Sequence, residues 1–129
     1  MAGYLEQIDA MCSLVRNWDS YGADPADPRT LQDARVFLTK FVASVGLKEP
    51  QVVPTRVGGV CALWILNGYE LEMEFEPREG ETFVSFVFES EAASETIKGE
   101  FRITSESEVY PAGLQALARL FVDSSRVAI

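Results

Sequence analysis

Val60-Cys61-Ala62-Leu63-Trp64-Ile65-Leu66-Asn67-Gly68-Tyr69-Glu70-Leu71-Glu72-Met73-Glu74-Phe75-Glu76 is the stretch that decides the fold. Asn-Gly between two apolar-rich runs predicts a two-residue hairpin turn, because both turn positions need positive φ. The turn sets the register. Leu66 should lie opposite Tyr69, Trp64 opposite Leu71, Ala62 opposite Met73 and Val60 opposite Phe75, which makes one face wholly apolar. The other face should pair Ile65 with Glu70, Leu63 with Glu72 and Cys61 with Glu74.

The pattern extends in both directions. Pro77-Arg78-Glu79-Gly80 predicts the next hairpin. With Glu76 facing Glu81, the apolar face continues through Thr82, Val84, Phe86 and Phe88. A further strand, Thr96–Thr104, adds Ile97, Gly99, Phe101 and Ile103. Upstream, Gln51-Val52-Val53 predicts a short edge strand stopped by Pro54, and Gly58-Gly59 allow a sharp turn. Three turns agree on one core face, which is stronger than any strand taken singly.

Helical periodicity flanks this block. Leu5, Ile8, Met11, Cys12, Val15 and Trp18 recur at three- and four-residue steps and predict a helix over 3–17. Asn17 to Pro25 breaks it. A second helix is expected from Pro28 to Val45, with Asp27 as cap, Pro28 at the first helical position and Gly46 beyond its end. A last helix is expected over 111–123, with Leu114, Leu117, Leu120 and Phe121 inward. The expected class is α+β: two N-terminal helices, an antiparallel four- to five-stranded β-meander, and a C-terminal helix packed on one sheet face. A chain of 129 residues suits a single domain over 1–129.

The net charge of −9 is concentrated. Residues 70–108 hold 12 acids and 3 bases, a difference that accounts for the whole excess. Such a surface repels phosphate backbones and anionic membranes, so neither direct nucleic-acid binding nor membrane binding is expected. A protein partner with a basic surface is favoured through faster encounter. Two cysteines, Cys12 and Cys61, with no CxxC and no histidine, lack the parts of a zinc site or a Cys/His dyad. They read as reduced thiols. No basic region followed by an apolar core opens the chain, and the longest uncharged run, 57–69, is too short to span a bilayer. The expected location is the cytoplasm of a bacterial cell or of an infected host.

Glu70, Glu72, Glu74 and Glu76 alternate with Leu71, Met73 and Phe75. One reading is the solvated side of a half-buried strand. The other notes that the same outer face carries Cys61, Leu63, Ile65, Phe83 and Val87, with Glu81 close by and Lys98, Glu100 and Arg102 beyond. Apolar patches rimmed by charge are a common form of interaction surface, with either a basic protein or a second copy in a homodimer. Catalysis by paired glutamates needs a cleft, which a flat sheet exterior does not offer. A straight carboxylate row does not converge on a metal. The row is also sparser than the phosphates of duplex DNA, so it can imitate a nucleic-acid track only in part. The Trp18–Tyr21 loop has two readings as well. It is a staple under the helices, with Asp19 or Asn17 bonding loop amides, or it is an aromatic anchor for a partner. No nucleophile elbow or phosphate-binding loop is present, and no cofactor is expected.

Asn17-Trp18-Asp19-Ser20-Tyr21-Gly22-Ala23, then Pro54-Thr55-Arg56-Val57-Gly58-Gly59, Trp64 and Glu70-Leu71-Glu72 together resemble a group of small bacterial and phage proteins of uncharacterised function. The likeness covers residues 5–76. It departs from the group's pattern at Arg56-Val57, where a more polar turn is expected, and at Leu63, where an acid is expected before the tryptophan. Both changes make the surface more apolar and favour an interface. The sequence therefore points to a non-enzymatic protein-binding module: an inhibitor, antitoxin, immunity or anti-defence factor. Its expected partner-binding residues are Glu70, Glu72, Glu74, Glu76, Glu81, Leu63, Ile65, Phe83, Trp18 and Tyr21. The alternatives are a nucleic-acid mimic that blocks a nuclease or CRISPR-type complex, and a small hydrolase using surface carboxylates.

Overall fold

The structure, a computed structural model, describes residues 3–45, 48–66, 68–90 and 95–103. Two helices, α1 (Tyr4–Met11) and α2 (Pro28–Val45), precede five strands: β1 (Gln51–Pro54), β2 (Val60–Leu66), β3 (Tyr69–Arg78), β4 (Glu81–Ser90) and β5 (Glu95–Ile103). The strands form one antiparallel sheet in the order β1-β2-β3-β4-β5. The fold is the expected α+β meander. The helix expected over 111–123 lies outside the described residues.

The β2–β3 register is the one derived from Asn-Gly, from Val60 opposite Phe75 to Leu66 opposite Tyr69. The next hairpin differs from expectation. Arg78 faces Glu81 across a two-residue turn, and Glu76 faces Phe83 instead of Glu81. Glu79 and Gly80 both take positive φ, 50° and 79°. The sequence hid this because glutamate is an uncommon residue there. A slip of two residues leaves side chains on their original faces, so the core face survives the correction.

That face is buried against α2. Leu71, Met73, Phe75, Val60, Ala62 and Val84 are fully covered, as are Ala34, Leu38 and Phe41 of the helix. Phe37 of α2 meets Phe75 edge-on at 5.6 Å and Phe101 at the same distance, while Phe41 meets Trp64 at 6.0 Å. One helix thus contacts β2, β3 and β5 through two rings. Burying each such side chain contributes about 1.5–3 kcal/mol. Asp27 caps α2 as expected: its Oδ2 accepts from the Thr30 amide at 3.3 Å and the Thr30 hydroxyl at 2.7 Å. The buried Thr82 hydroxyl donates to Asp33 at 2.7 Å, so the polar position on the core face is satisfied.

The first helix is shorter than its periodicity predicts. It ends at Met11, Cys12 is exposed, and Val15 is 68% exposed. Beyond Met11 the chain is drawn into long-range bonds: the Leu14 carbonyl accepts from the Ala26 amide and the Asn17 amide donates to the Ala23 carbonyl. Asn17 adopts φ 66°. A helix through residue 17 would forfeit these contacts.

Candidate functional site

The outer face of the sheet carries the residues singled out in sequence. Glu70, Glu72, Glu74 and Glu76 stand in a row along β3, each half-buried. Across from them on β2 are Ile65, Leu63 and Cys61, and on β4 are Glu89, Val87, Ser85 and Phe83. Ile65 is 63% exposed, and Val53 of β1, beside Cys61, is 54% exposed.

The row divides into two electrostatic halves. At the β3–β4 turn, Arg78 pairs with Glu76 at 2.6 Å and with Glu100 at 2.9 Å, and Arg102 pairs with Glu81 at 3.1 Å. Both guanidinium groups lie over the Phe83 ring, at 4.8 and 5.3 Å from its centre. Phe83 and Glu81 are therefore built into an internal network. At the other end no cation among the described residues pairs with Glu70, Glu72, Glu74 or Glu89. Glu70 and Glu89 face each other directly, an arrangement that destabilises a sheet when both are charged.

Between the halves, Cys61, Glu72 and Glu74 bring their ligand atoms within 4.8 Å of one another. The row alone does not converge on a metal; the thiol contributed across the strand pair makes this convergence. Among the described residues, these three are the ones that could hold a cation together. The buried Cys61 thiol donates to Glu72 at 3.4 Å. Burial first, then this bond and the charges of Glu72 and Glu74, push the thiol up to about 12. Burial, with Glu72 and Glu76 on either side, holds the Glu74 carboxyl above the usual carboxylate value.

Trp18 and Tyr21 lie elsewhere. Their loop interlocks with the β1–β2 turn, so the two motifs that sequence reading held apart form one unit. Asp19 Oδ1 accepts from the Tyr21 amide at 2.8 Å and the Ala23 amide at 3.1 Å, while Oδ2 accepts from Arg56 Nε at 2.7 Å. Arg56 also donates to the Tyr21 carbonyl, and the Asp24 amide donates to the Arg56 carbonyl. Asn17 Oδ1 accepts from Gly22 at 2.8 Å. Burial pushes the Asp19 carboxyl up, but its two amide donors and Arg56 outweigh that and hold it below the usual value. Gly58 is required because a Cβ there would stand 2.7 Å from the Pro25 carbonyl oxygen. Trp18 is half-buried and its indole donates to the Asp24 carbonyl at 3.1 Å. Tyr21 is 81% exposed, which corrects the expectation that it packs under the helices. The loop joins the sheet where Val60 faces Phe75. Ile65 is five residues further along β2, with Glu70 facing it from β3, about 17 Å away. The loop and the open carboxylates are two places, not one site.

Comparison of this chain with protein-family models, with curated proteins and with solved structures finds no match. Among the described residues, no helix is long and apolar enough to cross a membrane.

Proposed function

We propose that this chain is a non-enzymatic protein-binding module that engages a basic protein partner through the outer face of its sheet, as an inhibitor, antitoxin, immunity or anti-defence factor. One observation carries the reading. Exposed Ile65 and Val53 border the carboxylates of Glu70, Glu72 and Glu74, with which no cation among the described residues pairs, although Lys98 lies on the same face opposite Val87. Each arginine of the described residues (Arg16, Arg29, Arg35, Arg56, Arg78 and Arg102) already pairs with a carboxylate of its own chain. A second copy would bring a further row of carboxylates and, among the described residues, no spare arginine, which favours a different, basic protein over a homodimer.

Two observations weigh against the other readings. Arg78 and Arg102 interrupt the carboxylate row, so a continuous imitation of phosphates is shortened to one end. Glu74 has the raised pKa that a general acid needs. However, the depression lined by glutamates is formed by Glu70, Glu72 and Glu89 around Val87, and it excludes Glu74.

The test is a pull-down from the native host with wild-type bait and with the Glu72→Lys, Glu74→Lys double variant. Proteins held by the wild type and lost by the variant, at nearly unchanged Tm, support the proposal. Equal capture by both baits counts against it.

A further inference from the structure

Two shallow depressions adjoin on the open half of the outer face. One is lined by Lys48, Glu49, Gln51, Leu63, Trp64 and Ile65. The other is lined by Glu70, Glu72 and Glu89 around Val87. They share a border, because Ile65 faces Glu70 and Leu63 faces Glu72 in the β2–β3 register. The result is a mixed seat, with Leu63 and Ile65 as its apolar part, beside an acidic one, and the acidic seat includes the opposed pair Glu70 and Glu89. The same sheet shows how it accommodates crowded carboxylates. At its other end Arg78 and Arg102 lie over Phe83 and pair with Glu76, Glu100 and Glu81. Val87 and its three glutamates repeat that layout with Lys98 where Arg102 stands, unpaired with any of the three, and with no counterpart of Arg78.

Resting on the protein-binding reading above, we infer that this half docks an arginine-bearing segment of the partner protein, with a guanidinium over Val87 among Glu70, Glu72 and Glu89 and an apolar side chain on Leu63 and Ile65. Arginine fits better than lysine, because its planar fork reaches two carboxylates at once and its face packs on an apolar floor. The centres of the two seats are two strand spacings apart, about 9.6 Å. A polyproline-II segment places residues i and i+3 on one side about 9.3 Å apart, so leucine and arginine at that spacing reach both seats.

The probe is a fluorescein-labelled, proline-rich peptide with leucine and arginine three positions apart, titrated at low salt and followed by anisotropy. The expected result is saturable binding that weakens as salt rises. Glu70→Gln with Glu72→Gln should weaken it about tenfold or more, and arginine-to-lysine peptide about threefold or more. Glu81→Gln, at the self-paired end, should leave it within about twofold. Equal binding by wild type and Glu70→Gln, Glu72→Gln overturns the inference, as does no binding at low salt. Neither result touches the wider proposal, which stands if a captured protein is lost with Glu72→Lys, Glu74→Lys. Glu89→Gln provides a second variant and should weaken the peptide in the same direction.

Discussion

Replacing Gly59 with alanine sets a Cβ 1.8 Å from the Phe75 carbonyl oxygen, 2.9 Å from its carbon and 3.1 Å from Glu76 Cα. All three are backbone atoms of β3, so no side chain can turn aside. An ordinary carbon–oxygen contact is about 3.3 Å, so the start of β2 must move by about 1.5 Å. The movement disturbs the strand pair over the fully buried Phe75 and Val60. A cost of about 3–5 kcal/mol is expected, in the upper tail for single substitutions. Unfolding entropy of about 2.1 cal/mol/K per residue gives about 4 °C per kcal/mol for 129 residues. Thermal unfolding followed by circular dichroism should therefore show Tm lower by about 11–18 °C. Gly80→Ala is the control: it has φ +79° but nothing within 4 Å, and should cost only about 1–2 kcal/mol. A Gly59→Ala protein within about 4 °C of the wild type would refute the close approach of β2 and β3.

Other expectations test different parts of the structure. With dithionitrobenzoate, exposed Cys12 should react first, and Cys61, buried with its thiol held near 12, should react at least about tenfold more slowly until the protein unfolds. Glu74 has a folded pKa above its unfolded value, so its favourable contribution is complete below the unfolded value and is lost as pH rises through the folded one. Glu74→Gln should therefore gain in Tm over the wild type between pH 4 and pH 7, read by calorimetry. Asp19 has the opposite sign: its lowered pKa stabilises the loop above the unfolded carboxyl value of about 3.9, an effect lost as pH falls through the folded value. The amide-exchange protection factors of Tyr21 and Ala23, taken against the intrinsic rate at each pH, should fall on acidification, and Asp19→Asn should lower them at neutral pH.

The faces of the sheet were legible because alternation has a period of two and Asn-Gly fixes one register. Even the wrong pairing of Glu76 with Glu81 preserved them, being two residues out. The same error concealed the role of Arg78. Placed in a loop, it has no set position; placed as the last residue of β3, it continues the outer face and meets Glu76 and Glu100. The division of the carboxylate row was thus unreadable from charge counts. The convergence of Cys61 with Glu72 and Glu74 depends on side-chain directions across two strands, which spacing along one strand does not give. Periodicity overextended the first helix because it is blind to bonds with residues as distant as Ala26. For the Trp18–Tyr21 loop, Asn17 and Asp19 were legible as amide acceptors. Arg56 was not, since its partners lie 35 and 37 positions away.

The most direct measurement is carboxylate footprinting by carbodiimide coupling and mass spectrometry, on the free chain and on the chain bound to the protein it captures. Glu70, Glu72 and Glu89 should label readily when free and be shielded in the complex, while Glu79 at the far turn labels equally in both. Glutamates of this face that keep their labelling in the complex, while Asp24 of the α1–α2 loop loses it, would contradict the account and move the interface to the Tyr21 end.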